Sequence, residues 1–533
     1  MLKAKELLKL GRRDEVWEKY CGFIDLRLGQ FMQIQRDLLM EQIQLLAGCE
    51  LGRKLLGSKI PENLEDFRQL VPFTTYEDYA PYLPEKRSDV LPSGIIAWVR
   101  TSGRSKGGRF KWVPYSSRMY KRNGEALVTG LIVSSCAQKG EVYLEPGECL
   151  IMMTAPPPYA TALYTRAADE EMDIRFLPPL DVGEKMEFRD RMTLGFELAM
   201  QMGLNYFYGL SSVLAKLGER FQSSGGGGRI SLKMVRPSVL LRVARGMITA
   251  KLNKRGMLPK DIWKVKGILT GGTDTEIYRD RIHQYWGRKP IEAYGCTEGG
   301  SIAFQTWNFK GMTFFPDLNF LEFIPFEDHI KLKEDPSYQP RTLFFDELQL
   351  GIYELVLTNL LGGIFTRYRL GDLIEVIALR DDEMDIDTPQ MRFYSRADDL
   401  IDLAGFVRFT ERDIWHAIET TGIMYEDWCA RKEERGGEPL LHVYIEPQTS
   451  DDLNLDEVRG TLSQGLREAN REFADLEEML GGEYVKVSML PEGAFARYMR
   501  EQQAAGADLA HVKPPHMKPS EIALQRLAQP MEA

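Results

Sequence analysis

From about residue 95 to residue 300 the chain alternates short apolar runs with helix-like stretches, and this alternation most restricts its fold. Ile95-Ile96-Ala97-Trp98-Val99, Cys149 to Met153, Ile268-Leu269 and Ile291-Glu292-Ala293-Tyr294 read as strands, whereas Phe196 to Met202 and Ser211 to Phe221 read as helices. Strands separated by helical crossovers pair in parallel and are covered on both faces, so an α/β fold of layered mixed sheets and helices is expected. Ile95 to Val99 reads as a buried strand feeding the loop after it. The first 60 residues carry apolar positions at helical spacing, as in Phe31-Met32-Gln33-Ile34 to Leu45-Leu46, which predicts an amphipathic helical lead-in. In Val71-Pro72-Phe73-Thr74-Thr75-Tyr76-Glu77-Asp78 a turn precedes a cap and a helix start. Ser223-Ser224-Gly225-Gly226-Gly227-Gly228 reads as a flexible surface loop.

Beyond about residue 397 the pattern changes. Glu411 to Glu419 reads as a helix, His442 to Ile445 as a strand, Leu455 to Ala474 as one long charged helix and Tyr484 to Val487 as another strand. The expectation is a large N-terminal α/β domain over 1–397 and a small α+β domain over 398–533.

A net charge of −10, with basic residues that read as scattered, argues against a nucleic-acid partner, whose binding surface needs excess Lys and Arg. The six cysteines form no C-x-x-C pair, which argues against zinc and suits a reducing compartment. No run approaches the roughly 18 apolar residues of a membrane span, and the N-terminus lacks the apolar core of a signal peptide. The expectation is a cytoplasmic protein with no membrane partner.

Four segments carry chemistry. Thr101-Ser102-Gly103-Arg104-Ser105-Lys106-Gly107-Gly108-Arg109-Phe110-Lys111 offers glycines for close backbone approach, hydroxyl donors and cations, the equipment of a phosphate loop, although G-x-x-x-x-G-K-[ST] cannot be fitted to it. Taken alone, it reads more readily as an ordinary flexible turn rich in Gly and Lys. Gly271-Gly272-Thr273 reads as a tight turn after a strand. In Tyr294-Gly295-Cys296-Thr297-Glu298 a ring able to stack on a purine precedes a hydroxyl and a carboxylate, suited to a phosphate oxygen and a hard magnesium ion; a strand end with a solvated Glu reads as well. In Tyr368-Arg369-Leu370-Gly371-Asp372 the carboxylate follows a turn built on Gly371, placed to accept from ribose hydroxyls or to cap the turn.

The order of these segments resembles the adenylate-forming superfamily of acyl-CoA ligases, luciferases and peptide-synthetase adenylation domains. Val71 to Tyr79, Phe320-Leu321-Glu322-Phe323-Ile324-Pro325 and Tyr353-Glu354-Leu355-Val356-Leu357-Thr358 make the chain more similar to the auxin-responsive acyl-acid amido synthetases. The resemblance implies that Thr101, Ser102, Gly103, Ser105 and Lys111 meet phosphates, and that Gly271, Gly272, Thr273, Tyr294 and Gly295 wall the adenine and ribose. It implies further that Thr297 meets the α-phosphate, Glu298 holds magnesium, and Asp372 and Arg396 meet the ribose. Asp398 matches the hinge of a mobile C-terminal domain. Lys513, in His511-Val512-Lys513-Pro514-Pro515, matches a catalytic lysine but is equally placed as a surface residue of a Pro-rich tail. Arg104 stands where the family has a hydroxyl residue, and Lys111 lies one residue later than usual.

The implied function is ATP-dependent activation of a carboxylic acid as an acyl adenylate, then transfer to an amino acid or related amine. A CoA ligase resembling phenylacetate-CoA ligases and a nucleotide-binding protein without catalysis are the alternatives. No Ser/His/Asp or Cys/His arrangement is evident, and His283 and His416 read as structural residues on helix faces. Met152-Met153-Thr154-Ala155-Pro156-Pro157 and Asn205-Tyr206-Phe207-Tyr208-Gly209 offer apolar surface for an acid pocket, or simply core.

Overall fold

The computed structural model describes residues 2–104, 110–153, 155–223, 237–271, 275–335, 337–403, 407–435, 438–449, 454–480, 483–504 and 515–529. The chain forms two compact units, Met1–Phe393 and Tyr394–Ala533.

In the first unit the helical lead-in comprises Ala4–Lys9, Arg13–Cys21, Leu28–Ala47 and Glu50–Leu56. Leu28–Ala47 buries Phe31, Leu39, Ile43 and Leu46, the i, i+4, i+7 stripe of an amphipathic helix. Strands β1 (Ile95–Arg104) and β2 (Phe110–Ser116) pair antiparallel as a separate two-stranded sheet. β1 is therefore not the buried strand its apolar run predicts. Paired with β2 along one edge and bridged on the other at Arg100 to Tyr159, it leaves Ile96 51% exposed.

The next eleven strands form one sheet: β3 (Glu148–Met152), β4 (Ile174–Phe176), β5 (Tyr206–Gly209), β6 (Gly267–Gly271), β7 (Ile291–Cys296), β8 (Gly300–Gln305), β9 (Met312–Phe314), β10 (Asn319–Pro325), β11 (Gly351–Asn359), β12 (Tyr368–Ala378) and β13 (Gln390–Arg396). Their order is β10-β11-β12-β13-β9-β8-β7-β6-β5-β3-β4. From β4 to β7 every pairing is parallel, and Leu150, Ile151, Phe207, Ile268 and Ile291 are buried, as expected of strands with helices on both faces. At β7 the sheet changes sense: β7 with β8, β8 with β9, β9 with β13, β10 with β11 and β11 with β12 are antiparallel.

The Val71 to Tyr79 segment braces this antiparallel half. Thr74 bridges in parallel to Tyr368, with Thr74 N–H donating to Arg367 O and Arg369 N–H to Thr74 O, both at 2.9 Å. Thr75 and Asp78 form the capping box that starts the helix Tyr76–Tyr79. Beside the bridge, Arg367 donates Nε to Glu322 Oε2 at 3.0 Å and Nη2 to Glu322 Oε1 at 2.9 Å, and its Nη1 to Arg68 O at 2.7 Å. Thr342 Oγ1 also donates to Glu322 Oε1, at 2.6 Å, and the guanidinium lies 4.3 Å from the Phe73 ring centroid. Both members of the ion pair are buried, so the bidentate geometry and added donors are what make their desolvation tolerable.

The second unit contains the antiparallel pair β14 (Ile401–Asp402) and β15 (Arg408–Phe409). Its three-stranded sheet has β16 (Tyr425–Arg435) antiparallel to β17 (Glu438–Pro447), and β17 parallel to β18 (Val485–Met489). The predicted long helix is two, Leu455–Ala469 and Arg471–Leu480. Asn470 breaks it: its Oδ1 accepts from Phe473 N–H at 3.0 Å, capping the second helix, and its Nδ2 donates to Arg408 O at 2.9 Å.

His516 fixes the C-terminal segment to this sheet. Its Nδ1 meets Glu411 Oε1 at 2.5 Å and its Nε2 meets Asp427 Oδ1 at 2.7 Å, while its ring stacks on Trp428 at 4.7 Å. Burial alone would lower its pKa, but the carboxylates of Asp427 and Glu411 outweigh burial and push it up to about 10. The imidazolium therefore contributes stability that is complete below the ordinary value of 6.5 and is lost as pH rises through about 10. Melting of the second unit is expected to fall across that window in the native chain, and to be lower but flatter in His516→Gln. Parallel pH profiles for the two proteins would contradict the assignment.

Candidate active site

The Tyr294 to Glu298 string occupies the end of β7 and the turn into β8, where the sheet changes from parallel to antiparallel. Ligands bind at such discontinuities because neighbouring connections diverge there and leave a crevice. Gly295 is required by packing: a Cβ there would stand 2.5 Å from Gly300 O across the β7–β8 pair. The space is used by the opposite strand. Gly300 itself has φ +72, and a side chain there would collide with Asn123.

The turn between these glycines is held at each residue. Tyr115 Oη donates to Thr297 O at 2.8 Å, Asn359 Nδ2 to Glu298 O at 2.9 Å and Asn319 Nδ2 to Gly299 O at 2.7 Å. Ser301 N–H donates to Asn123 Oδ1 at 2.8 Å, and Gly299 N–H to Cys296 Sγ at 3.1 Å. Asn359 also donates to Asn319 Oδ1 at 3.0 Å and accepts from Phe365 N–H at 3.1 Å. These buried groups fix the backbone that carries Thr297 and Glu298, and the sequence reading did not single them out. Their signal is an amide at the edge of an apolar run, as in Val356-Leu357-Thr358-Asn359 and Asn319-Phe320-Leu321.

The Glu298 side chain is 7% exposed, and its Oε1 accepts from Tyr368 Oη at 3.2 Å. Burial raises its pKa above the ordinary glutamate range, against the Lys111 ammonium and the Tyr368 phenol, which favour the carboxylate. A buried carboxylate facing a cation is a group placed to receive charge, whereas the alternative reading of a solvated Glu requires exposure. The Cys296 thiol is pushed well up by burial and by the Glu298 and Asp372 carboxylates, which makes it a poor nucleophile.

Tyr294 Oη donates to Asp372 Oδ2 at 2.7 Å, and the Tyr294 ring packs 5.8 Å from Phe393. Asp372 is buried within β12. The predicted turn at Gly371 is a bulge inside a continuous strand: Arg369 pairs with Val356 and Leu373 with Glu354, so three residues oppose Leu355. Gly371, at φ +78, supplies the backbone conformation the bulge needs. Arg369 is tied to Glu354 by contacts of 2.8 and 2.7 Å, and His329 Nδ1 meets the same carboxylate at 2.6 Å.

Thr101, Ser102 and Gly103 lie in β1 and Lys111 in β2, so the ends of the predicted loop are strand residues. Pairing is irregular there: Arg100 faces Trp112 and Arg104 faces Phe110. Thr101 is buried, and Lys111 Nζ lies 5.2 Å from the Tyr76 ring centroid. Gly271 ends β6, the strand beside β7. Ser105, Gly272, Thr273 and Lys513 lie outside the described residues, as does most of the Ser223 to Gly228 loop. Arg396 and Asp398 belong to the second unit, where Asp398 O accepts from Lys518 Nζ at 2.6 Å. The structure thus brings together Tyr294, Gly295, Thr297, Glu298, Lys111 and Asp372 within the first unit. His283 and His416 are exposed on their helices.

Tyr206 and Phe207 are core residues of β5. Met152, Ala155 and Pro156 line a cavity of about 40 Å³ with Phe176, Leu180 and Arg191. That is room for a few waters, well below the roughly 300 Å³ at which small-molecule pockets begin.

Two parts of one family match the chain: the GH3 family N-terminal domain over residues 23–158 and the GH3 family central domain over residues 312–396. Over these two segments the chain matches the GH3 family. The N-terminal GH3 match contains the Val71 to Tyr79 brace, and the central match contains β10 to β13, including Asp372. Indole-3-acetic acid-amido synthetase GH3.10 of Arabidopsis thaliana is 22% identical over 457 residues, 73% of this chain and 74% of that protein. Among solved structures, AtGH3.15 acyl acid amido synthetase in complex with 2,4-DB superposes with a TM-score of 0.67 at 17% identity, covering 93% of each chain. A 2-hydroxyisobutyryl-CoA ligase in complex with 2-HIB-AMP gives 0.56 at 15% identity, covering 99% of this chain and 92% of that one. Both likenesses show a shared fold.

Proposed function

We propose that this GH3 chain activates a carboxylic acid with ATP and transfers the acyl group to an amino acid or related amine. The observation that carries this reading is the buried Glu298 carboxylate, on a turn clamped by five hydrogen bonds next to the Tyr294–Asp372 pair. In the first step a carboxylate oxygen of the acid attacks the α-phosphorus of ATP and pyrophosphate leaves. In the second the amine attacks the acyl carbon, loses a proton and expels AMP. Neither step needs a protein nucleophile, in keeping with the suppressed Cys296 thiolate.

The chain's work is to bind, orient and offset charge. Tyr294 and Gly271, with Gly272, Thr273 and Gly295, form the wall for the adenosine. The Tyr294 phenol orients Asp372 toward the ribose hydroxyls, which Arg396 also meets. Thr297 donates to the α-phosphate. Thr101, Ser102, Gly103, Ser105 and Lys111 hold the outer phosphates, with Lys111 offsetting their charge. Lys513 is the candidate catalytic lysine of the C-terminal segment, and Asp398 the candidate hinge residue between the two steps.

The donor set fits magnesium: the Glu298 carboxylate offers a buried hard oxygen. Magnesium bound by Glu298 and the triphosphate would supply charge neutralisation on the phosphate oxygens. The six cysteines are free and five are buried, which suits a reducing cytoplasm.

The test is pyrophosphate exchange into ATP with magnesium and a panel of carboxylic acids, followed by amino acids or CoA as acceptor. Acid-dependent exchange with product formed from an amino acid is the expected result. Product formed with CoA alone would reassign the second step, and folded, ATP-binding protein that exchanges with no acid would overturn the reading.

A further inference from the structure

The helix Pro237–Leu252 is inverted relative to an ordinary surface helix. It buries Val239, Gly246 and Ala250, a narrow stripe of mostly small residues, and exposes large aliphatic ones: Leu240 52%, Leu241 74%, Met247 55%, Ile248 62% and Leu252 79%. At about 100° per residue these five side chains and Ala244 span an arc of roughly 140°. Elsewhere the exposed large apolar residues are scattered through the chain, as on any soluble surface. Leaving this many on one helix costs solubility unless something covers them.

The charge around the helix indicates what covers it. Between Glu219 and Asp261 the chain carries ten Lys and Arg and no Asp or Glu, although its net charge is −10. This segment is the exception to the otherwise scattered basic residues. Arg245 is exposed at the edge of the aliphatic arc, Lys251 is exposed within it on the last turn and Lys254 is exposed just past the helix, whereas Arg242 is turned inward, donating Nη1 to Met200 O at 2.7 Å. A second copy of the chain docking face to face would oppose two acid-free basic surfaces and be repelled. A nucleic acid would meet aliphatic side chains, where base stacking needs aromatic ones. An aliphatic arc with an Arg at its edge and Lys at its C-terminal end matches a layer with an anionic surface over an apolar interior.

We propose that the helix Pro237–Leu252 docks on an anionic lipid surface, lying in the interface with Leu241, Ile248 and Leu252 below the headgroups and Arg245, Lys251 and Lys254 against them. No helix among the described residues is long and apolar enough to cross a membrane, and a helix lying in the interface needs no such length. The expectation of no membrane partner rested on the absence of a spanning segment, a criterion that does not detect this mode of binding.

The test is flotation of the full-length protein with vesicles of phosphatidylcholine alone and of phosphatidylcholine mixed equally with phosphatidylglycerol, at low and high salt. Binding to the mixed vesicles, at least tenfold weaker to phosphatidylcholine and weakened by salt, is the expected result. Leu241→Glu with Ile248→Glu should weaken it tenfold or more, and Arg245→Glu with Lys251→Glu should do so at low salt. Both variants should keep native thermal unfolding and acid-dependent pyrophosphate exchange, because none of the four residues belongs to the proposed site. Absence of flotation by folded wild-type protein would overturn the proposal. So would oligomerisation that the Leu241/Ile248 variant abolishes, or polyanion binding indifferent to that variant.

Discussion

Glu298→Gln is expected to lower acid-dependent pyrophosphate exchange at least a hundredfold, about 3 kcal/mol of transition-state stabilisation, while the protein becomes more stable at neutral pH. The two effects have one cause. The carboxylate is buried, and its pKa is raised chiefly by that burial, so the folded chain holds its proton more tightly than the unfolded chain does. A raised carboxyl pKa lowers stability as pH climbs from the ordinary glutamate value of 4.5 through the folded value, and above that window the full cost of an ionised buried group is present. Glutamine removes that cost and keeps the volume. Thermal melting of the two proteins should therefore coincide below the window and separate above it, with the variant higher. A variant that exchanged normally would exclude Glu298 from the chemistry. One that lost exchange together with stability would make Glu298 a structural residue.

The largest loss of stability is expected from Glu322→Ala. Glu322 accepts both forks of Arg367 and the Thr342 hydroxyl, and both members of the ion pair are nearly inaccessible. Its removal strands a buried guanidinium, a change that costs about 3–5 kcal/mol. The same guanidinium ties the chain at Arg68 to β12, the strand that holds Asp372. Chemical denaturation should show the lower midpoint, and the fraction that remains folded should exchange pyrophosphate more slowly because Asp372 is less firmly placed. Glu322→Ala with Arg367→Met, which removes both charges, should recover much of the lost stability. Failure of the pair to recover any would mean that cavity formation, rather than the unpaired charge, sets the cost.

The residues proposed to meet substrate are more legible in the sequence than the residues that hold them. Tyr294 to Glu298 and Tyr368 to Asp372 are contiguous strings whose side-chain chemistry is informative before any fold is known. Asn123, Asn319 and Asn359 clamp the same turn from 20 to 178 residues away in the chain, and each is an isolated amide whose partner only the folded sheet reveals. The alternation of strands and helices from Cys149 to Tyr294 corresponds to the parallel half of the large sheet because strands covered on both faces must be apolar throughout. That criterion misreads β1, where five apolar residues in a row belong to a strand of a separate two-stranded sheet. It also fails at Leu455 to Ala474, where helical spacing of charge and apolar residues runs on past the break and the capping Asn470 is the one sign of it. Gly371 was recognised as a special backbone position, but sequence alone does not distinguish a turn from a bulge within a strand.

The bridge between Thr74 and Tyr368 also sets a clock on synthesis. Thr74 leaves the ribosome long before Tyr368, and at roughly 5–20 residues per second the interval is on the order of a quarter of a minute to a full minute. Until β12 emerges, the backbone of Val71 to Thr74 has an unsatisfied strand edge and Arg68 has not met its carbonyl's partner, Arg367. The Val71 to Thr74 edge thus waits through more than half of the chain's synthesis, and a chain released before residue 369 presents that edge permanently to its neighbours.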